Sequence, residues 1–153
     1  ALRPAFLPVL VFVVAAFTSF ATGSSWGTMG ILFPLVVPLA HGIAPDDLNI
    51  LLGAISGILA GSVWGDHCSP ISDTTILSSL ATSCDHLDHV RTQIPYALVV
   101  AIVCMLAGDL PTALGWYGPW IAMLVGAGLL TALVFLLGRP TLPPRGEVGR
   151  RHT

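Results

Sequence analysis

Residues 66–75, Asp-His-Cys-Ser-Pro-Ile-Ser-Asp-Thr-Thr, set two carboxylates, an imidazole and several hydroxyls between apolar runs of membrane length. Ionisable groups are costly inside a bilayer, and where they occur they mark ion or substrate sites by default. Pro70 bars an uninterrupted helix, because it has no amide proton and its ring clashes with the preceding turn. A membrane helix interrupted beside acids points to a secondary transporter.

Composition agrees with a lipid environment. Of 153 residues, 54% are hydrophobic and 9% charged, with a mean hydropathy of +0.85. Soluble domains carry about 25% charged residues, so an all-α integral membrane protein is expected, with the lipid bilayer as its first partner. There is no Lys, and Arg139, Arg145, Arg150 and Arg151 cluster at the end of a chain of net charge −2. Without a basic surface, a nucleic-acid role is excluded. Cys68, Cys84 and Cys104 lie in or beside apolar segments and suggest no secreted disulfide framework. The sequence starts at Ala1 with no charged n-region or small-residue cleavage site. It is expected to be the C-terminal part of a longer transporter, with the remaining N-terminal half as partner.

The first apolar block covers residues 5–40, with Gly23-Ser24-Ser25-Trp26-Gly27-Thr28 in its middle. That is nearly twice the roughly 20 residues of one span. Two half-spans meeting at a polar tip would form a re-entrant hairpin; one long span followed by a short one fits equally. A non-helical tip at membrane depth needs protein or water around it. Residues 48–65 then form an apolar helix, with Gly53, Gly57, Gly61 and Gly65 on one stripe. Small residues in a row let another helix approach closely, for packing or for movement.

After the break a helix resumes over 71–84, with Ser72 or Asp73 as its cap. Residues 85–93 are polar and read as a solvated loop outside the membrane. Pro95 suits the first turn of a helix over 94–108. Residues 109–118 form a turn-rich link, and Pro119 opens a last span ending near Gly138. The 139–153 tail, rich in Arg and Pro, is expected to be disordered and, by the positive-inside rule, cytoplasmic. The expected domains are therefore 1–138, the transmembrane unit, and 139–153, the tail. Parity then puts 111–118 outside and 85–93 inside.

Asp66 and Asp73 are seven residues apart, about 10 Å along an unbroken helix. Unwinding at Pro70 would bring them closer. Carboxylate oxygens bind a hard cation such as Na⁺, helped by the hydroxyls of Ser69, Ser72, Thr74 and Thr75 and by freed carbonyls. Burial disfavours the charged form of an acid, so Na⁺ and H⁺ would compete for one site. Ser24, Ser25 and Thr28 at the first interruption are candidates to complete the cation shell. His67 is a candidate proton relay, since histidine is the side chain suited to proton transfer at physiological pH. Each has a plainer alternative: Asp66 as a turn acid, Asp73 as a helix cap, His67 as a turn histidine and Trp26 and Cys68 as packing residues. Beyond transported Na⁺ no metal is expected, and no cofactor. The spacings of Cys68, Cys84, His86 and His89 match no standard zinc site. An enzyme is not expected, because no nucleophile motif occurs.

Three stretches together carry a resemblance: Ala21 to Thr28, Gly65 to Thr75, and Cys84 to Gln93 in Cys-Asp-His-Leu-Asp-His-Val-Arg-Thr-Gln. Over residues 5–110 the chain resembles the NhaC-type sodium/proton antiporter family. The resemblance implies half of an ion-transporter-superfamily fold: a re-entrant hairpin over 5–40, an adjacent broken helix over 48–84 and two further transmembrane helices. It also implies exchange of Na⁺ for H⁺ across the bacterial cytoplasmic (inner) membrane, in a multi-pass protein for which a homodimer is a candidate assembly. The alternative is a sodium- or proton-coupled exchanger of an organic acid, of malate or lactate type, or of an amino acid on the same scaffold. No Arg lies between Arg3 and Arg91 to hold an anion, which favours the cation.

Overall fold

The computed structural model describes residues 4–138; the expected tail at 139–153 lies outside the described residues. A 3₁₀ turn, Pro4–Phe6, leads into α1 (Leu7–Thr22), followed by α2 (Ser25–Ile43), α3 (Leu48–Cys68), α4 (Asp73–Ala81) and α5 (His86–Cys104). A π-helical turn, Met105–Asp109, joins α5 to the short α6 (Leu110–Ala113), and α7 is Pro119–Leu137. Five helical stretches among the described residues are long and apolar enough to cross a membrane. The described residues contain no strand.

Each boundary has a local cause. Gly23 ends α1 in the left-handed conformation, φ 64°, with its N–H on the Ser19 carbonyl. Only glycine fits there, since an added Cβ would also fall 2.9 Å from the Ile71 carbonyl oxygen. Ser24 caps α2 by accepting the Gly27 N–H at 3.2 Å. Asp47 caps α3, accepting from the N–H groups of Asn49 and Ile50. Asp85 caps α5 in the same way, accepting from Leu87 and Asp88. Pro119 opens α7 in the first turn.

The glycine stripe sets the central packing. A Cβ on Gly57 would lie 2.7 Å from the Pro8 carbonyl oxygen, and one on Gly53 2.8 Å from the Pro8 ring. At Gly61 and Gly65 it would meet the carbonyls of Phe12 and Ala16. Helices α1 and α3 therefore run parallel with their backbones in direct contact, a separation only small residues allow. Ala15 and Ala54 are fully buried in this seam. Helix α2 returns antiparallel and closes the core with Leu32, Val36 and Ala40 against Leu7, Val11, Ile50 and Ile58. Helix α5 packs on the other side, where Ala101 and Met105 meet Phe12, Ala16 and Trp64. The Trp64 indole N–H donates to the Ala97 carbonyl at 2.8 Å, fixing the α3–α5 register.

Four sequence expectations change here. With its 3₁₀ turn the α1 stretch has 19 residues and α2 has 19, so each alone has spanning length rather than half of it. Likewise α3 completes 21 residues before the break, about 31 Å of helix. Asp66, expected as the first residue of the break after a helix ending at 65, thus sits in the last turn of α3. Residues 86–93, expected as a solvated loop, are the first two turns of α5, and Pro95 lies inside that helix rather than at its start. The cap at Asp85 accounts for this: it satisfies the free N–H groups of a helix start, so polar residues there are helical. The expected link over 109–118 is also partly helical, because the π turn and α6 extend the stretch to His86–Ala113.

Candidate functional site

The two polar interruptions meet. The Gly23 turn lies against Ile71, and Ser69 donates its hydroxyl to the Phe20 carbonyl at 2.8 Å. The tip between α1 and α2 is thereby tied to the break between α3 and α4. Asp66 stands where they join, half-buried. One carboxylate oxygen accepts the Ser25 hydroxyl at 3.1 Å and the other accepts the Ser72 hydroxyl at 2.7 Å. Thr74 adds a third hydroxyl, 2.8 Å from Ser72.

Pro70 explains the local chain path. Without its N–H the Asp66 carbonyl loses its helical donor and takes the Ser69 N–H at 3.0 Å instead. The Ile71 N–H turns to the Ser69 hydroxyl at 3.3 Å. Ser72 precedes α4 at the cap position, but its hydroxyl serves Asp66 rather than its own helix. The starts of α2 and α4 both lie beside Asp66, and helix N-termini favour negative charge. The arrangement is a carboxylate ringed by hydroxyls, with the oxygen chemistry of a hard-cation or proton site.

The structure brings Asp66, Ser25, Ser72 and Thr74 into one network. Ser69 is fully buried beside it, holding the α1 end. Ser24 is occupied as the α2 cap. Thr28 is buried and donates to the Ser24 carbonyl at 2.9 Å, one turn along α2 from Ser25. Asp73 is exposed in the first turn of α4, next to Ser72. His67 is exposed and faces Gln93, whose side-chain nitrogen lies against the His67 ring and donates to the His67 carbonyl at 3.0 Å. Among the described residues no three of His, Cys, Asp and Glu are grouped to hold a metal ion.

Sequence reasoning missed the α5 face on the break. His86 Nε2 lies 2.6 Å from the Pro70 carbonyl oxygen, and its Nδ1 lies 3.2 Å from the Ser79 hydroxyl. The signal was the spacing of positions 86, 90 and 93 behind the Asp85 cap, which puts them on one helix face.

Comparison with known proteins agrees with this architecture. The profile of the Na⁺/H⁺ antiporter family matches residues 1–108. The chain belongs to the Na⁺/H⁺ antiporter family. An uncharacterized protein of Haemophilus influenzae is 54% identical over 96 residues, covering 63% of this chain and 18% of that protein. The malate-2H⁺/Na⁺-lactate antiporter of Bacillus subtilis is 33% identical, covering 70% of this chain and 23% of that protein. The Na⁺/H⁺ antiporter NhaC of Alkalihalophilus pseudofirmus is 28% identical, with the same shares covered. The chain thus spans about a fifth of the length of these relatives. No solved structure matches. Like the rest of the Na⁺/H⁺ antiporter family, the chain is a multi-pass membrane protein by its helices and its kinship.

Proposed function

We propose that this chain supplies the cation and proton site of a secondary transporter that exchanges Na⁺ for H⁺. The observation that carries the reading is the Asp66 carboxylate, held between Ser25 of the α1–α2 tip and Ser72 of the break. A carboxylate so placed binds Na⁺ with hydroxyl help or binds a proton, but not both at once. Competition for one acid, with access alternating between the two sides, is sufficient for exchange. Ser25, Ser72 and Thr74 are the direct partners, with Ser69, Ser24 and Thr28 shaping the surrounding backbone. Asp73 adds charge at the mouth, and His67, exposed at the end of α3, passes protons between the site and water.

In this reading α1 and α2 form a hairpin whose tip meets a broken span made of α3 and α4, in the bacterial inner membrane. The end carrying Arg91 and the Arg-rich tail faces the cytoplasm. The remaining helices of a longer transporter, lipid and a second copy of the protein cover the apolar outer faces. The names of two relatives, the malate-2H⁺/Na⁺-lactate antiporter and the arginine/ornithine antiporter ArcD of Halobacterium salinarum, favour a second reading in which an organic acid or amino acid is exchanged.

The test uses the full-length protein in everted membrane vesicles. Na⁺-dependent proton movement that disappears in Asp66→Asn supports Na⁺/H⁺ exchange. Uptake of a labelled organic or amino acid, with no Na⁺-dependent proton movement, overturns it in favour of the second reading.

A further inference from the structure

Resting on the reading of Asp66 as the ion site, we propose that His86 is a positioning residue for that site, holding the break in place through the Pro70 carbonyl.

The break creates the need. In a continuous helix the carbonyls of His67 and Pro70 would accept the N–H groups of residues 71 and 74. The Ile71 N–H has gone to Ser69 instead. The freed carbonyls need other donors, since an unmet carbonyl away from water is costly. Helix α5 supplies them, joined at the His67 carbonyl by the Thr75 hydroxyl of α4 at 3.3 Å. Asp85 starts it, and His86, Val90 and Gln93 then share the face toward the break. Val90 is buried. Gln93 donates to the His67 carbonyl at 3.0 Å and His86 to the Pro70 carbonyl at 2.6 Å.

A carbonyl only accepts, so His86 Nε2 carries the proton in this bond. The opposite ring nitrogen faces Ser79 of α4 at 3.2 Å. One imidazole therefore ties α5, the break and α4 together. The peptide it holds leads directly into Ile71 and Ser72, and Ser72 reaches Asp66 at 2.7 Å. His86 acts on the site through Pro70 and touches neither Asp66 nor the ion.

The experiment uses the full-length transporter in vesicles, with membrane abundance measured for each variant. Glutamine sets an amide donor near the Nε2 position and asparagine does not. His86→Ala and His86→Asn raise the Na⁺ concentration for half-maximal exchange about tenfold, the effect of one lost hydrogen bond, with a smaller change in maximal rate. His86→Gln stays near the wild type. A second measurement needs no particular substrate. In a protein with Cys68, Cys84 and Cys104 replaced by Ala and carrying Ser72→Cys, His86→Ala speeds maleimide labelling of the buried thiol. The proposal is overturned by unchanged half-saturation in His86→Ala, by His86→Gln as impaired as His86→Ala, or by unchanged labelling. Faster labelling, together with a wild-type transporter that exchanges no Na⁺, supports the His86 contact and overturns the reading of Asp66 alone.

Discussion

Asp66 and Asp73 look equivalent in the sequence and are not equivalent in space. Asp66 accepts two hydroxyls and is half-buried; Asp73 is exposed at the start of α4. Removing the Asp66 charge is expected to abolish Na⁺-dependent proton movement in vesicles. Ser72→Ala, which deletes one hydrogen bond to a charged group, raises the half-saturating Na⁺ concentration about tenfold. Asp73→Asn changes it by no more than about fivefold, because an exposed charge acts through solvent. A loss in Asp73→Asn equal to that in Asp66→Asn would reverse this ranking. The interruption at Pro70 and the acid before it were legible in the residue types. The partner of that acid was not: Ser24, Ser25 and Thr28 are equally polar, and only the path of the Gly23 turn selects Ser25.

Among the elements, the α1–α3 pair depends on bare backbone. Gly61→Ala would drive a methyl group into the Phe12 carbonyl and to 2.9 Å from the Ala15 methyl. Overpacking of this kind costs about 1–3 kcal/mol, so the full-length protein in detergent should melt several degrees lower. Gly126→Ala in α7 would place its methyl with no atom of the described residues within 4 Å, its own helix backbone aside, and should not lower the melting temperature. Trp64→Phe removes the indole N–H from the Ala97 carbonyl, at about 1 kcal/mol, read as a smaller fall in the same melt. The i, i+4 glycine spacing announced close packing without naming the partner. Residues 86–93 were misjudged for a different reason. A polar run with charges and histidines has loop composition, and its helical state rests on one aspartate cap and on carbonyls from another helix.

At the scale of the whole molecule, the described helices turn many large apolar side chains outward. Phe17, Trp26, Leu35, Trp120 and Phe135 are all exposed, Phe135 at 83%. The parallel α1 and α3, with α2 and α5 antiparallel to them, put the 44–47 turn and the 114–118 turn at one end and residues 69–86 at the other. Single cysteines at Asp46 and Trp116 should therefore label from the same side of the membrane in intact cells, and one at Leu87 from the opposite side. Labelling of all three from one side would refute the arrangement.

Lipid solubility, the helix interruption and the acid beside it follow from residue type alone, because a run of apolar side chains, a missing amide proton and a carboxylate act the same way in any surroundings. Spanning length was less secure: the Gly-Ser turn in the long apolar block read as two half-spans or as a long span and a short one, and the structure has two of 19 residues each. The meeting of the first interruption with the second, the choice of Ser25 and Ser72 for Asp66, and the hold of His86 on Pro70 came only with tertiary packing. Each joins residues at least six positions apart, up to 49 for Phe20 and Ser69. Such contacts depend on how the glycine-lined α3 and the break after it lie against α1, α2 and α5, which no local pattern encodes.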